Sequence, residues 1–398
     1  MEFKGLLRSS KIWLLLLMIH VYKTVRSEEV EIIQKMNPES HMNISEIIQF
    51  WGYPAEEYEV LTEDGYYLSL NRIPGHTKSS KSSVLLLHCL TMEGTVWIAN
   101  HPHQSLGFIL ADAGYDVWIG NIRGTTWSRR HKHFSIDEEE FWNFSFHEVG
   151  IYDLSAIINF ILHKKGEDHL YFICHSQGCN IGFVAFSIIP HLAAKVKMFF
   201  ALAPLYTLQD TKSVILQITR LPESLIKIIF GRKEFSLLSP QLRAQVARMC
   251  SNQPLGMICQ QALFLVGGFN DRSLNTSRVD VYISRFPDYT SVKNIVHWSQ
   301  TSHSGQFQHF DYGSKNKDIY NQTTPPLYNI EAITIPIALY SAGQDWVSQL
   351  SEIAQLQSRI TNLIHKQKFP EWNHWNFIWG LDAPSCLYTE IPALMEKL

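Results

Sequence analysis

One serine lies in a sequence context that suits a nucleophile. Cys174-His175-Ser176-Gln177-Gly178 directly follows the apolar run Leu170 to Ile173 and precedes a helical stretch that begins near Asn180. A serine on a sharp turn between a strand and a helix projects its hydroxyl above the edge of a sheet, as in the nucleophile elbow G-x-S-x-G. The first glycine of that motif is a cysteine here. The motif predicts a catalytic Ser176, and the alternative is an ordinary turn.

A nucleophilic serine needs a base and a carboxylate that orients the base, and one common order along the chain is serine, acid, histidine. Asp345 follows the apolar run Ile335 to Ser341, and His374 lies in a loop after a later strand-like run. The alternative role for Asp345 is capping of a helix that begins near Val347. Order and placement at strand ends together predict the triad Ser176, Asp345 and His374.

Acyl transfer also needs hydrogen-bond donors for the oxyanion. One donor is the backbone N–H of the residue after the nucleophile, and the other comes from a loop after an earlier strand. His88-Cys89-Leu90 occupies such a loop, directly after the run Val84 to Leu87. The sequence therefore predicts the backbone N–H groups of Leu90 and Gln177 as the oxyanion donors.

Strand-like and helix-like segments alternate through much of the chain and would position these groups. The apolar runs are Val84 to Leu87, Asp116 to Ile119, Leu170 to Ile173, Lys197 to Leu202 and Ile335 to Ser341. Helical stretches such as Glu148 to Leu162 and Gly182 to Ile189 lie between several of them. Buried strands that alternate with helices indicate an α/β fold whose mostly parallel sheet carries helices on both faces. Residues 57–74 precede this pattern as a predicted antiparallel hairpin.

The alternation stops between Pro204 and Pro326, which predicts an inserted, mainly helical cap at residues 205–326. The core then comprises residues 27–204 and 327–398. The cap contains an apolar stripe at helical spacing, bent at Pro222, made of Val214, Ile218, Leu221, Leu225, Ile228 and Ile229. This stripe is either a cap helix packed on the core or a movable lid whose apolar face meets lipid.

Composition excludes several classes of protein. With 398 residues and 45% hydrophobic content, the chain can bury a large core. Its 34 Lys and Arg against 37 Asp and Glu provide no basic surface for nucleic acid. Six cysteines are too few for a disulfide scaffold at this length.

The first residues predict a secretory signal. Basic residues precede and follow the short apolar run Ile12 to Val21, so we assign residues 1–26 to a signal peptide, with a signal anchor as the alternative. No other stretch approaches the roughly 20 apolar residues of a membrane span, and we expect no transmembrane segment in the mature chain. Secretion makes four N-x-S/T sites predicted glycosylation sites: Asn43, Asn143, Asn275 and Asn321.

Several further segments along the chain have a distinctive sequence: Asn43-Ile44-Ser45, Trp51-Gly52-Tyr53-Pro54, residues 111–118, Thr126-Trp127-Ser128-Arg129-Arg130, Glu140-Phe141-Trp142, His175-Ser176-Gln177-Gly178, Ala201-Leu202-Ala203-Pro204 and residues 377–384. In these segments the chain resembles a known family, the acid lipases, which include gastric lipase and lysosomal acid lipase. The resemblance covers nearly the whole sequence after the signal. It implies an α/β-hydrolase fold with a cap and lid, hydrolysis of triacylglycerols or cholesteryl esters at acidic pH, and no metal or other cofactor. It also selects the same triad and oxyanion donors.

The cysteines allow two further expectations. Cys250 and Cys259 can close a small loop or remain free thiols, and the resemblance implies that they form a disulfide in the cap. The strands that end near His88 and Ile173 are neighbours in this fold, so a disulfide between Cys89 and Cys174 is a second hypothesis, with two buried thiols as the alternative.

The sequence differs from the family pattern at four positions near the site. Family members have glycine at the positions of Cys89 and Cys174, serine at Ile122 and aspartate at Asn376. We predict a serine lipase, secreted or delivered to the lysosome lumen, that acts on neutral lipid at an interface. The alternatives are a catalytically weakened lipid-binding protein on the same scaffold and a hydrolase of soluble esters or peptides.

Overall fold

The computed structural model describes residues 36–75, 81–252, 254–270 and 274–397. The predicted signal peptide, residues 1–26, lies outside the described residues. Within these ranges, no helix has both the length and the apolar character needed to cross a membrane.

A mixed, mostly parallel sheet forms the centre of the molecule. The strands of the chain are β1 Glu56–Leu61, β2 Tyr66–Ile73, β3 Ser83–Leu87, β4 Asp116–Gly120, β5 Arg130–His131, β6 Leu170–His175, β7 Val196–Leu202, β8 Glu234–Phe235, β9 Thr290–Ser291, β10 Ile337–Ala342 and β11 Leu363–Phe369. The main sheet has the order β1-β2-β4-β3-β6-β7-β10-β11, with β5 beside β2 and with β8 and β9 paired separately. The strands from β4 to β11 in this order are parallel, and β1 and β2 form the predicted antiparallel hairpin.

The strands form where the apolar runs predict them because both faces of the sheet are covered. Every residue of β3, β4 and β6 is buried. Strand β10 begins at Ile337 rather than Ile335. Pro336 has no N–H to donate to a ladder, although its carbonyl still accepts a hydrogen bond from the Phe199 N–H at 2.9 Å.

Helices cover both faces of this sheet, which confirms the predicted α/β fold class. The α-helices are α1 Ile44–Phe50, α2 Leu106–Asp112, α3 Phe146–Glu148, α4 Ser155–Lys165, α5 Gln177–Ile188, α6 Pro190–Ala193, α7 Glu223–Phe230, α8 Pro240–Cys250, α9 Leu255–Gly267, α10 Val279–Arg285, α11 Val292–Ser304, α12 Asn316–Tyr320, α13 Leu350–Arg359, α14 Asn376–Trp379 and α15 Glu390–Met395. A π-helical segment, Val149–Leu154, joins α3 to α4, and a second, Pro384–Tyr388, precedes α15. Short 3-10 turns occur at Pro38–His41, Gly94–Trp97, Pro102–Gln104, Glu140–Trp142, Ile215–Arg220, Thr276–Arg278, Gly313–Lys315 and Ile330–Ala332.

The core consists of two hydrophobic clusters, one on each face of the sheet. Leu85 and Leu87 of β3 point into the first cluster with α4 and α5, whereas Val84 and Leu86 point into the second with α2 and α15. Such alternation follows from the two-residue period of a strand. In a sheet of this kind, the loops at the carboxyl ends of the parallel strands carry the functional groups.

The segment between β7 and β10, residues 203–336, interrupts the sheet with helices α7 to α12 and the short pair β8 and β9. We call it the insertion. The predicted bend at Pro222 is a break between two helical segments, because extended backbone at Leu221 separates the 3-10 turn Ile215–Arg220 from α7. In α7 the stripe residues Leu225, Ile228 and Ile229 are exposed, whereas Ile226, which is not part of the stripe, is fully buried.

The cysteine pairing differs from one of the two expectations. Cys250 and Cys259 are joined and connect α8 to α9. The hypothesis of a disulfide between Cys89 and Cys174 is wrong, because Cys174 is joined to Cys179 and Cys89 is free. The reason is the sheet itself: Cys174 packs in the first hydrophobic cluster and Cys89 packs in the second, on the opposite face.

Alkylation tests this pairing. In denaturant without reductant, iodoacetamide should modify Cys89 and Cys386 and leave the other four cysteines unmodified, because those four are paired. Peptide mapping by mass spectrometry reads the result, and a fully reduced sample with six alkylated cysteines is the control. A peptide that links Cys89 to Cys174 would contradict the structure.

Candidate active site

Ser176 lies on the sharp turn between β6 and α5, and its backbone is strained. Its φ of 57° and ψ of −119° lie in a region that residues with a side chain rarely adopt, at a cost of about 1–3 kcal/mol. Hydrogen bonds hold the turn on both sides: the Ser176 N–H donates to Leu202 O at 3.0 Å, and the Leu205 N–H donates to Ser176 O at 3.2 Å. Helix α5 begins at Gln177, three residues earlier than predicted.

Gly178 allows the first turn of α5 to lie directly against the end of β3. A Cβ at this position would lie 2.6 Å from His88 O and 2.7 Å from Leu87 O, too close for any side chain. Cys174, at the position of the missing glycine, is buried within β6 and bonds to Cys179 of α5. The elbow therefore keeps the glycine that the close approach requires and accommodates the cysteine.

The structure brings the three predicted catalytic side chains together. His374 Nε2 lies 2.8 Å from Ser176 Oγ, and His374 Nδ1 lies 2.8 Å from Asp345 Oδ2. A histidine that donates its Nδ1 hydrogen to a carboxylate leaves Nε2 free to accept the serine proton. The arrangement can therefore activate the hydroxyl of Ser176 as a nucleophile.

Asp345 uses its two carboxylate oxygens for two different tasks. Oδ2 accepts from His374, and Oδ1 accepts from the backbone N–H groups of Val347 and Ser348 at 2.7 and 2.8 Å. The helix that was expected to begin near Val347 begins at Leu350, so Asp345 orders the loop before α13 rather than capping the helix. The bonds to the loop fix the carboxylate that orients the imidazole.

The predicted oxyanion donors lie on the loops after β3 and β6. Within the described residues, neither the Leu90 N–H nor the Gln177 N–H donates to a backbone carbonyl of a turn or loop, and their role as oxyanion donors stays a prediction. His88 shapes the first loop: its Nδ1 lies 3.0 Å from Cys89 O, and its Nε2 lies 3.3 Å from the Ile122 backbone N. Because Ile122 contributes only its backbone, a side-chain change at this position preserves the bond. Burial lowers the pKa of His88 to about 4, and this ring stays neutral.

The insertion supports the acid and base loops at two consecutive glycines, Gly267 and Gly268, at the end of α9. Gly267 O accepts from the backbone N–H of Trp346 at 3.2 Å and from that of His374 at 3.0 Å. The Asn373 side chain donates to Gly268 O at 2.7 Å. Residue 268 has a φ of 104°, and a Cβ there would overlap Gln344 O, so only glycine fits. The two glycines carry no local sequence signal of these contacts with Trp346, Asn373 and His374, so the contacts could not be predicted from the sequence.

Two further polar side chains fix the His374 loop. His175 Nε2 lies 3.0 Å from His374 O, and burial holds the pKa of His175 well below its usual range, so this ring is a neutral donor. Asn376 Oδ1 accepts from the Asn373 N–H at 2.8 Å. An aspartate, the family residue at this position, would make the same bond through an oxygen. The change to Asn376 therefore leaves the loop intact.

The remaining sequence predictions concern the surface and metals. Asn143 and Asn321 are exposed, and Asn43 and Asn275 are partly buried; their glycosylation stays a prediction. Across the residues that the structure describes, no group of three or more His, Cys, Asp or Glu is arranged to hold a metal ion.

Asp345→Asn tests the role of the carboxylate. The asparagine oxygen can still accept from Val347 and Ser348, but its NH₂ group would face His374 Nδ1 and leave the imidazole hydrogen on Nε2, where it cannot accept from the serine. We expect kcat on a soluble ester to fall by about 10⁴-fold with little change in the thermal unfolding temperature. Asp382→Asn is the matched control, because Asp382 accepts from Trp372 outside the triad. Equal activity of the two variants would contradict this role.

Comparison with known proteins agrees with this geometry. Residues 82–381 match the family described as alpha/beta hydrolase fold, and residues 44–101 match the partial alpha/beta-hydrolase lipase region. The chain is 50% identical over 369 residues to the lysosomal acid lipase/cholesteryl ester hydrolase of Macaca fascicularis, with 91% of this chain and 92% of that protein covered.

A second relative and a solved structure extend the comparison. The gastric triacylglycerol lipase of Homo sapiens is 46% identical over 368 residues, with 91% of this chain and 92% of that protein covered. A soluble variant of monoglyceride lipase from Saccharomyces cerevisiae shares the fold, with a TM-score of 0.52 at 15% identity over 87% of this chain and 98% of that chain. These findings confirm the resemblance found in the sequence: the chain belongs to the α/β-hydrolase fold family and, within it, to the family of the lysosomal acid and gastric lipases.

Proposed function

We propose that this protein is a serine lipase that hydrolyses carboxylic ester bonds of neutral lipids through an acyl-enzyme. The observation that carries the proposal is the hydrogen-bonded chain from Asp345 through His374 to Ser176 on a strained elbow. Ser176 attacks the ester carbonyl while His374 takes its proton, and the N–H groups of Leu90 and Gln177 stabilise the oxyanion. His374 then protonates the leaving alcohol, and the acyl group stays on Ser176. Water next attacks the acyl carbonyl with His374 as the base, and the fatty acid leaves as His374 returns the proton to Ser176.

The names of the relatives support neutral lipids as the substrate class. One is a cholesteryl ester hydrolase and the other a triacylglycerol lipase. We propose that this chain accepts one or both of these esters and that it acts in a secreted or lysosomal setting. The predicted signal peptide and the four predicted glycosylation sites, none of them on a buried asparagine, support that setting.

We further propose that part of the insertion is a lid. Ser176 and His374 are each 2% exposed, and Asp345 is 4% exposed, so an ester reaches the serine only after covering residues move. Helix α7 carries Leu225, Ile228 and Ile229 at positions i, i+3 and i+4, and all three are exposed. An exposed apolar face of this kind is suited to dock on a lipid surface. We keep residues 205–326 as the proposed cap.

The contacts around the four departures favour an enzyme over a weakened lipid-binding protein. Cys174 is accommodated by its bond to Cys179, and Ile122 and Asn376 keep the hydrogen bonds that their positions supply. Cys89 packs its sulfur 3.0 Å from the sulfur of Met92, and burial raises the pKa of its thiol, so it does not compete as a nucleophile.

Ser176→Ala tests the proposed function. On emulsified triolein and cholesteryl oleate, the wild-type protein should release fatty acid, and the variant should lose about 10⁵-fold or more of that rate, because the attacking oxygen is absent. Ser187→Ala on α5 is the matched control, since the Ser187 hydroxyl donates to Val184 O of its own helix, at 2.9 Å. A wild-type protein that binds these lipids without releasing fatty acid would instead support the lipid-binding alternative.

Replacing the exposed residues of α7 tests the lid. The double variant Ile228→Ser, Ile229→Ser should hydrolyse emulsified triolein at a rate lower by about tenfold or more. The two substitutions remove apolar side-chain area that the proposed docking would transfer from water into the lipid surface. The variant's kcat on dissolved p-nitrophenyl butyrate should not change. Ile319→Ser, a change of an exposed isoleucine on α12, is the control. An equal loss on both substrates would contradict a role in docking.

A further inference from the structure

The side chain of Gln177 is held by the insertion. Its carboxamide oxygen accepts two hydrogen bonds from α11, one from Asn294 Nδ2 at 2.9 Å and one from Trp298 Nε1 at 2.7 Å. All three side chains are buried, with exposures of 1%, 2% and 0%. Two donors that converge on one buried oxygen form a specific contact, because each would lose a partner if the glutamine moved.

Helix α11 is itself fixed, so it can act as a rigid support. Asn294 Oδ1 accepts from the Phe146 N–H at 2.8 Å, and the Asn294 N–H donates to Ser291 Oγ at 2.9 Å. One turn later, His297 bridges Ser145 Oγ at 3.0 Å and Gln308 O at 2.9 Å. Burial lowers the pKa of His297 to about 3, so this bridge stays neutral at acidic pH.

The position of Gln177 makes this contact relevant to catalysis. Gln177 is the first residue of α5, where a backbone N–H has no partner within the helix, and it directly follows the strained Ser176. The orientation of the Ser176–Gln177 peptide therefore depends on the turn before it and on the anchored side chain after it. An oxyanion donor acts only when it points to the place where charge develops.

We infer that Asn294 and Trp298 are positioning residues that hold the Gln177 N–H in the oxyanion site, so that the insertion completes the catalytic apparatus as well as covering it. This inference rests on the proposed function, because it concerns the oxyanion donor of that reaction. It assigns to α11 a part in turnover that is separate from any lid movement.

Trp298→Phe tests the inference, because it removes the indole N–H and keeps an aromatic ring. We expect kcat on dissolved p-nitrophenyl butyrate to fall by about tenfold, the loss of one buried hydrogen bond, with KM unchanged. The rate of covalent reaction of Ser176 with a fluorophosphonate should fall by a similar factor. The matched control is Trp118→Phe, because Trp118 is fully buried in the same hydrophobic cluster and its indole N–H finds no hydrogen-bond partner among the residues that the structure describes.

A double-mutant cycle separates positioning from packing. In a Gln177→Met background the acceptor is absent, so Trp298→Phe should cause no further loss of kcat, whereas Trp118→Phe should have the same small effect in both backgrounds. Asn294→Ala gives the same comparison if Trp298→Phe does not fold. If the fluorophosphonate labels the wild type, and if Trp298→Phe and Trp118→Phe have equal kcat and equal labelling rates, the inference is overturned. The proposed function would then remain intact. A wild type that neither labels nor hydrolyses esters would overturn both.

Discussion

The hydrogen bond between Ser176 and His374 joins two loops that are 198 residues apart in the chain, and most of the site serves to keep those loops in place. Each loop follows a parallel strand, so the sheet brings them to one edge. The sheet alone does not fix them to within hydrogen-bond distance. Ser176 is held by a strained turn, and His374 is held by Asp345, His175 and the carbonyl of Gly267.

The insertion contributes to this site at three separate places. Asp288 donates its backbone N–H to Thr91 O, next to the predicted oxyanion donor Leu90, at 2.6 Å. Helix α11 holds Gln177, and the two glycines at the end of α9 hold the loops of Asp345 and His374. Through these hydrogen bonds, the three parts of the insertion are fixed to the loops of the core. The exposed apolar face lies on α7, so the proposed lid movement is expected to involve that helix rather than the supporting contacts.

The three side chains that the structure brings together could be selected from the sequence because their signals are local. Ser176 lies in a motif between a strand and a helix, and Asp345 and His374 follow strand-like runs in the expected order. The supporting contacts could not be predicted in this way, because Asn294 and Gln177 are 117 residues apart and neither position is unusual in its own segment. The incorrect Cys89–Cys174 hypothesis has a related cause: neighbouring strands were identified, but the face on which each sulfur packs was not.

The most direct test of the account is covalent labelling of the serine in the folded protein. A fluorophosphonate should modify Ser176 of the wild type at neutral pH, with the modified peptide identified by mass spectrometry, and His374→Ala should label at least about 10³-fold more slowly because the base is absent. Labelling of Ser176 at an unchanged rate in His374→Ala, or labelling at another residue, would contradict the claim that the imidazole activates this hydroxyl.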